Sequence, residues 1–309
     1  MLALVPAARH RTGTRTMTLV PDPTARRATP VVPAREAIGD RDLGHWRSRL
    51  GQALARIVIA LVLAVVRFLP RAVQWSLGHI ALVATLVVGG TVALLLEHAA
   101  GEVYESVVGS TGIARLDRPV LDLMVQVRSP AAAEVVTDFT NIGGKVGMPI
   151  LAAVASLTLA WWWRRWTPVV LMIAAAAGSL LLTVGAKEVT ARARPPMALA
   201  VPPLETSTSF PSGHTLNATV IVGVVGYLLL FRLASTRARV AVVAVTALFV
   251  VLMGLSRVYL GHHWLSDVVA AWLFGLGWLA VVVTAHRLMI TLGRVEPVRS
   301  NSGRSDPAE

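Results

Sequence analysis

The sequence predicts an all-α membrane protein, a six-transmembrane-helix bundle with an extracytoplasmic active site, and three observations carry that prediction. First, 55% of the 309 residues are hydrophobic and only 15% are charged, with a mean hydropathy of +0.64, a balance that soluble domains rarely reach. Second, six apolar runs are each long enough to cross a hydrocarbon core of ~30 Å, which takes roughly 20 helical residues and as few as 17 with adjustment at the ends. Third, the basic residues between the runs assign each loop to a side of the membrane. Cysteine is absent, which excludes disulfides and thiolate-ligated metals. The net charge of +12 resides in the N-terminal tail, in short loops and after the last apolar run. That placement favours anionic lipid headgroups over nucleic acid as the partner.

Taken in order, residues 1–50 are rich in Arg, Pro, Thr and Ala without apolar periodicity, which predicts a disordered basic tail, with Met17 as a second candidate start. Within residues 51–74 the apolar run Leu54–Leu69 is short and bracketed by Arg56 and Arg67, so an interfacial helix is expected in place of a span. Residues 75–289 form the six-span domain, with runs at Leu77–Leu96, Val146–Trp163, Thr167–Ala186, Thr215–Phe231, Ala238–Leu255 and Leu265–Ala285. Arg164 and Arg165 separate the second run from the third, and Arg232, Arg237 and Arg239 separate the fourth from the fifth. Both short loops are therefore expected in the cytoplasm, together with the N-terminal tail and the tail at 290–309. Trp161, Trp162, Trp163 and Trp166 fit an aromatic belt at the inner interface.

The long connection from His98 to Lys145 then falls outside. Within it Leu116, Val120, Leu123, Met124 and Val127 recur at helical spacing, with Asp117, Arg118 and Asp122 off that stripe. Two readings stand side by side, a helix lying on the outer leaflet and a helix packed over the bundle.

The chemistry gathers in three further places. In Ser256–Asp267, between the last two runs, a helix beginning at His263 would put His263 and Asp267 one turn apart. The carboxylate then fixes the ring tautomer and leaves the other nitrogen as a nucleophile, although such a pair alone is more often a structural hydrogen bond. The third run ends in Lys187, Glu188, Arg192 and Arg194 ahead of Pro195 and Pro196. Snorkelling would account for one cation there, but this is the outer end, where basic residues are disfavoured. After the polar loop from Glu205 to Ser209, the fourth run opens with Phe210, Pro211, Ser212, Gly213 and His214. This is a helix N-terminus whose free amides suit an anion, or an ordinary cap with a satisfied histidine. All three clusters fall on the outer side, where cations, amides and two histidines together suit phosphoryl transfer.

Lys187-x6-Arg194-Pro195, then Pro211-Ser212-Gly213-His214, then Ser256-Arg257-x5-His263-x3-Asp267 resemble the tripartite signature of the type 2 phosphatidic acid phosphatase family. That family is the membrane branch of the acid phosphatase and vanadium haloperoxidase superfamily. The signature covers Lys187 to Asp267, and the span pattern extends the resemblance over about Leu77 to Ala285. The resemblance implies His263 as a nucleophile forming a phosphohistidine, Asp267 as its orienting partner and His214 as the acid that protonates the leaving oxygen. It implies Lys187, Arg194, Ser212, Gly213 and Arg257 as phosphate ligands, no metal and no other cofactor, and a lipid phosphate or pyrophosphate as substrate. His262 and Arg192 are not signature positions.

Three rivals remain at this point. Two histidines and a carboxylate can form a facial triad for a metal, although three cations would repel it. A basic cluster can serve a transporter or lipid-binding protein without catalysis. A phosphohistidine can also pass its phosphoryl group to an alcohol, which makes a phosphotransferase.

Overall fold

The computed structural model describes residues 80–293 and, ahead of them, Ala37–Ile38, Arg41–Asp42, Ile57 and Ala60. Those few residues apart, the expected tail over 1–50 and interfacial helix over 51–74 lie outside the described residues, as does the C-terminal tail beyond 293. Two short strands, β1 (Ala37–Ile38) and β2 (Arg41–Asp42), pair antiparallel with Ala37 opposite Asp42. The fold itself is all-α.

Over residues 80–293 eight α-helices build it: α1 (Ile80–Gly109), α2 (Asp117–Gln126), α3 (Pro130–Asn141), α4 (Gly147–Trp163), α5 (Thr167–Thr190), α6 (Gly213–Leu230), α7 (Thr236–Tyr259) and α8 (Leu265–Thr291). Five of these, α1 and α5 to α8, are long and apolar enough to cross a membrane, whereas α4 is apolar but has 17 residues. Among the described residues each of the six apolar runs thus lies in a helix.

The helix of the first expected span runs on beyond the predicted end of that span, because α1 continues past Leu96 to Gly109. His98, Glu102 and Glu105 lie on its exposed side, while Ala100, Val103 and Ser106 keep a buried stripe at three-residue spacing that carries the helix onward. Thirty residues at 1.5 Å each give roughly 45 Å, more than a hydrocarbon core needs. Much of the segment expected as an outer loop is therefore helix.

α2 also departs from expectation. Its inward residues are Asp117 and Leu121, one turn apart, at 5% and 0% exposure. The predicted stripe faces the other way, with Leu116, Leu123 and Val127 exposed. Of the two readings, the helix packed over the bundle holds, against α7 and α8, but it packs through Asp117 and Leu121 and not through that stripe. Ser129 caps α3 by accepting from the Ala132 amide at 3.2 Å, with Pro130 at the first helical position, where its missing N–H costs nothing.

α6 is the central helix. Leu216, Ala218, Val220, Val224 and Leu228 are buried on it, and it packs against α4, α5, α7 and α8. In lipid the apolar effect does not favour helix association, so close packing at small residues must do so. Gly178 on α5 shows how close the approach is: a Cβ there would lie 2.0 Å from the ring of Trp278 on α8. α8 also runs along α1, where a Cβ on Gly277 would come within 2.5 Å of the Glu97 carboxylate and one on Gly89 within 1.9 Å of Thr284.

At the end of the bundle formed by the α4–α5 and α6–α7 turns, Trp161, Trp162 and Trp166 are exposed, as a belt requires. Trp163 is not part of that belt. It is buried, and the Arg232 guanidinium lies 5.5 Å from its ring centroid and 5.3 Å from that of Trp162, which ties the two basic turns together. By connectivity, the C-terminal ends of α5 and α7 and the N-terminal ends of α6 and α8 lie at the opposite end.

Candidate active site

The turn from α7 into α8 sets the site. Leu260 caps α7 and Gly261 follows at φ +74°. The Gly261 amide donates to the Val258 carbonyl and the His262 amide to the Arg257 carbonyl, each at 3.0 Å. These are the two bonds of a Schellman motif. Glycine is required twice over here, by the left-handed backbone and because a Cβ would lie 2.5 Å from the Leu199 carbonyl oxygen. The His263 amide also donates to the Arg257 carbonyl, at 3.2 Å. The tight turn therefore fixes the histidine before the next helix begins.

His263 and Asp267 do meet, with Nδ1 3.4 Å from Oδ2, but not by the route the spacing implied. α8 starts at Leu265, so His263 precedes the helix and Asp267 occupies the third helical position. From there the carboxylate folds back over the helix N-terminus and accepts from the Trp264 amide at 3.0 Å, the reach-back half of a capping box. Its oxygens also accept from Ser209 Oγ at 2.5 Å and from Arg192 Nη1. Asp267 is fully buried and His263 is 2% exposed. Because an ionised carboxylate only accepts, the imidazole proton belongs on Nδ1 and the lone pair on Nε2.

That Nε2 faces Arg194 Nη1 at 3.2 Å. Arg194 is held in turn by the carbonyls of His262 at 2.7 Å and Ser207 at 2.6 Å, and by Ser207 Oγ at 3.0 Å. Lys187, in the last turn of α5, reaches the same loop and donates to the Thr208 carbonyl, with Ser207 Oγ at 3.4 Å. Arg257, 1% exposed, donates to Thr140 Oγ1 at 3.2 Å and to Glu205 Oε1 at 2.7 Å. Glu205 also lies 3.9 Å from Arg194. Burial alone would raise the Glu205 carboxyl, but Arg257, then His214 and Arg194, hold it below its ordinary value of 4.5. Burial and the charges of Arg194, Arg257 and Lys187 push His263 well below 6.5, and burial with Arg257 takes His262 to about 4.

Ser212 caps the N-terminus of α6, and Gly213 and His214 open its first turn. The Ser212 amide already donates to the Asp267 backbone carbonyl at 3.2 Å, and its hydroxyl accepts from Thr215 at 2.9 Å. In this arrangement Ser212 links α6 to α8, which leaves the first-turn amides of Gly213 and His214 for an anion. The His214 ring points to the α3–α4 corner, where a Cβ on Gly144 would lie 3.5 Å from Nε2. A cavity of about 250 Å³ beside the site is lined by Arg194, Glu205, His262 and the Pro195–Met197 turn. A larger cleft of about 580 Å³, between α2, α3 and Val201–Pro202, holds none of the signature residues.

The structure thus brings Lys187, Arg194, Arg257, His263 and Asp267 into one contiguous network, with His214 and Ser212 at its edge. Sequence reasoning set Arg192 aside and missed Asp117, Ser209 and Ser266. Arg192 bridges two buried carboxylates, Asp267 through Nη1 and Asp117 through Nη2 at 2.6 Å. Asp117 also accepts from the Ser266 amide at 2.8 Å and the Ser266 hydroxyl at 2.7 Å. The only trace of this in the sequence is that Arg192 is a second arginine ahead of Pro195, at an end of a span where basic residues are disfavoured.

Comparison with known proteins gives concordant results. The family model described as PAP2 superfamily matches residues 165–289. The chain is 29% identical over 175 residues to phosphatidylglycerophosphatase B of Bacillus subtilis (strain 168), which covers 56% of this chain and 85% of that protein. The crystal structure of a transmembrane PAP2-type phosphatidylglycerolphosphate phosphatase from Bacillus subtilis superposes with a TM-score of 0.56 at 26% identity. That match covers 62% of this chain and 93% of the other.

Proposed function

Because the chain belongs to the PAP2 superfamily, we propose that it is an integral membrane phosphatase that hydrolyses a lipid phosphate or lipid pyrophosphate through a phosphohistidine on His263. The observation that carries this reading is the two-sided environment of that ring, Asp267 at Nδ1 and the Arg194 guanidinium 3.2 Å from Nε2. A lone pair directed at a cationic pocket is what in-line attack on a bound phosphate requires.

In this mechanism Arg194, Lys187, Arg257 and the first-turn amides of α6 neutralise the equatorial oxygens. His263 Nε2 forms a bond to phosphorus as the bond to the leaving oxygen breaks, and His214 delivers the proton that this oxygen needs. Asp267 stabilises the positive ring in the phosphohistidine. Water then attacks phosphorus, His214 takes its proton, and the P–N bond breaks to return neutral His263. No residue in this scheme requires a metal. A facial triad would need a carboxylate free to ligate, whereas Asp267 is engaged by Arg192, Ser209 and the Trp264 amide, and Glu205 by Arg257.

Six spans are proposed, α1 and α4 to α8, with α4 crossing by adjustment at its ends. The basic turns at Arg164–Arg165 and Arg232–Arg239 then face the cytoplasm and the site faces outward. A phosphate bound at helix ends is reached by a lipid whose tail stays in the bilayer, which avoids about 0.8 kcal/mol per CH₂ exposed. The name of the Bacillus subtilis relative makes phosphatidylglycerol phosphate the first substrate to test. The test is phosphate release in detergent micelles, setting that lipid, phosphatidic acid and a polyprenyl pyrophosphate against sugar phosphates and nucleotides. Turnover of a lipid that His263→Ala abolishes supports the proposal. Turnover of soluble phosphates alone would overturn the lipid assignment.

A further inference from the structure

We infer that Asp117 and Arg192 are positioning residues for the reaction, a two-link brace that runs from α2 to the carboxylate behind the nucleophile. The inference rests on the phosphatase reading above and assigns roles to two residues outside the family signature.

The geometry is specific. Arg192 is mostly buried, at 15% side-chain exposure, and its two terminal nitrogens divide between Asp267 Oδ1 and Asp117 Oδ2. Nη1 also donates to Ser266 Oγ at 2.8 Å. Asp117 uses its other oxygen on the Ser266 amide, at 2.8 Å, so one carboxylate holds both the arginine and an otherwise free amide of the first turn of α8. The arginine sits just beyond α5, whose last turn is capped by Ala191 in the left-handed region. Its carbonyl accepts from the Ser209 amide at 2.8 Å, and Ser209 Oγ is the second side-chain donor to Asp267. The two side-chain donors to the Asp267 carboxylate besides His263 are thus tied to each other through the backbone. Its orientation depends on a residue 150 positions earlier in the chain.

Two consequences follow. With Arg192 saturating Oδ1, only Oδ2 faces the His263 ring, so the brace fixes which oxygen the imidazole meets. The brace also sets charge. Arg192 offsets Asp267, and Asp117 in turn offsets Arg192. Around the pair stand Lys187 from α5, Arg194 and Glu205 from the loops, His214 from α6, Arg257 from α7 and His262 from the α7–α8 turn. Removing the Arg192 charge leaves Asp267 uncompensated and favours imidazolium, so neutral His263 is lost at higher pH. Removing the Asp117 charge leaves Arg192 unopposed and has the reverse sign.

The experiment uses full-length wild type and the variants Arg192→Gln, Arg192→Lys and Asp117→Asn in mixed micelles with phosphatidic acid and phosphatidylglycerol phosphate. It reads kcat, KM, the pH dependence of kcat/KM and thermal unfolding. Arg192→Gln is expected to lower kcat by up to roughly 10²-fold with KM unchanged, as misplacement of a reacting group does. Its acid limb is expected to rise by about one pH unit. Asp117→Asn is expected to lower kcat and move the limb the opposite way, and Arg192→Lys to keep the limb and recover part of kcat. Limbs that stay put or move together, or kcat losses that only follow loss of stability, would overturn the brace while leaving an active wild-type phosphatase. A wild type that releases phosphate from neither lipid removes the phosphatase reading, and the inference with it.

Discussion

Nη1 of Arg194 lies 3.2 Å from Nε2 of His263, on the opposite side of the ring from Asp267. Burial opposes protonation of the ring, and the cation against Nε2 adds to it, so His263 titrates well below 6.5. In the proposed mechanism the neutral ring is the nucleophile, so a lowered pKa extends activity toward acid. The acid limb of kcat/KM is expected below pH 6.5. In Arg194→Gln it is expected to move up while KM rises, which a pH series on both proteins measures.

Ser209 is expected to matter although it lies outside the signature. Its hydroxyl donates to Asp267 at 2.5 Å in a fully buried site. Ser209→Ala leaves that carboxylate short of a donor, a loss of about 1.5–3 kcal/mol for a bond to a charged group. Thermal unfolding in detergent reads the stability component and kcat the rest. Unchanged values of both would show that the bond contributes nothing.

Glu205 is expected to compete with a phosphate substrate. It pairs with Arg257 at 2.7 Å and lies 3.9 Å from Arg194, so it repels the dianion those arginines would bind. Glu205→Gln is expected to tighten inhibition by inorganic phosphate roughly two- to fivefold, the scale of a partly exposed ion pair. Weaker inhibition would mean that the carboxylate instead keeps the arginines in place.

Exhaustive chelation is expected to leave turnover intact, and vanadate is expected to inhibit, because its trigonal-bipyramidal form matches the transition state in the cationic pocket. Activity lost on chelation and restored by one divalent metal would favour the facial triad.

Orientation is tested on the cysteine-free chain. Thr206 and Arg237 are both exposed, and a single cysteine at either can be labelled in intact cells with an impermeant reagent. Labelling is expected at 206 and not at 237. The opposite pattern would place the site in the cytoplasm.

Much of the candidate site was legible because its residues sit at helix ends, where short motifs keep their spacing whatever the bundle does. His263 and Asp267 were paired correctly, but through a helix that begins two residues after His263. What stayed hidden lay in pairings between distant segments. Nothing local marks Asp117 as the partner of Arg192, since its neighbours read as one half of an amphipathic pattern. The overrun of α1 was missed for a similar reason: His98, Glu102 and Glu105 looked like a loop because a window average cannot separate a polar face from a polar segment.

Gly261 carries a consequence for any mutational scan. The position of His263 depends on a residue with no side chain, held at φ +74° with no room for a Cβ against the Leu199 carbonyl. Nearly every replacement there would register as a dead enzyme although position 261 offers no group to the chemistry. A map of intolerant sites would rank it beside His263, and only a fold-sensitive readout taken on the same variants would separate the hinge of the turn from the atom it aims.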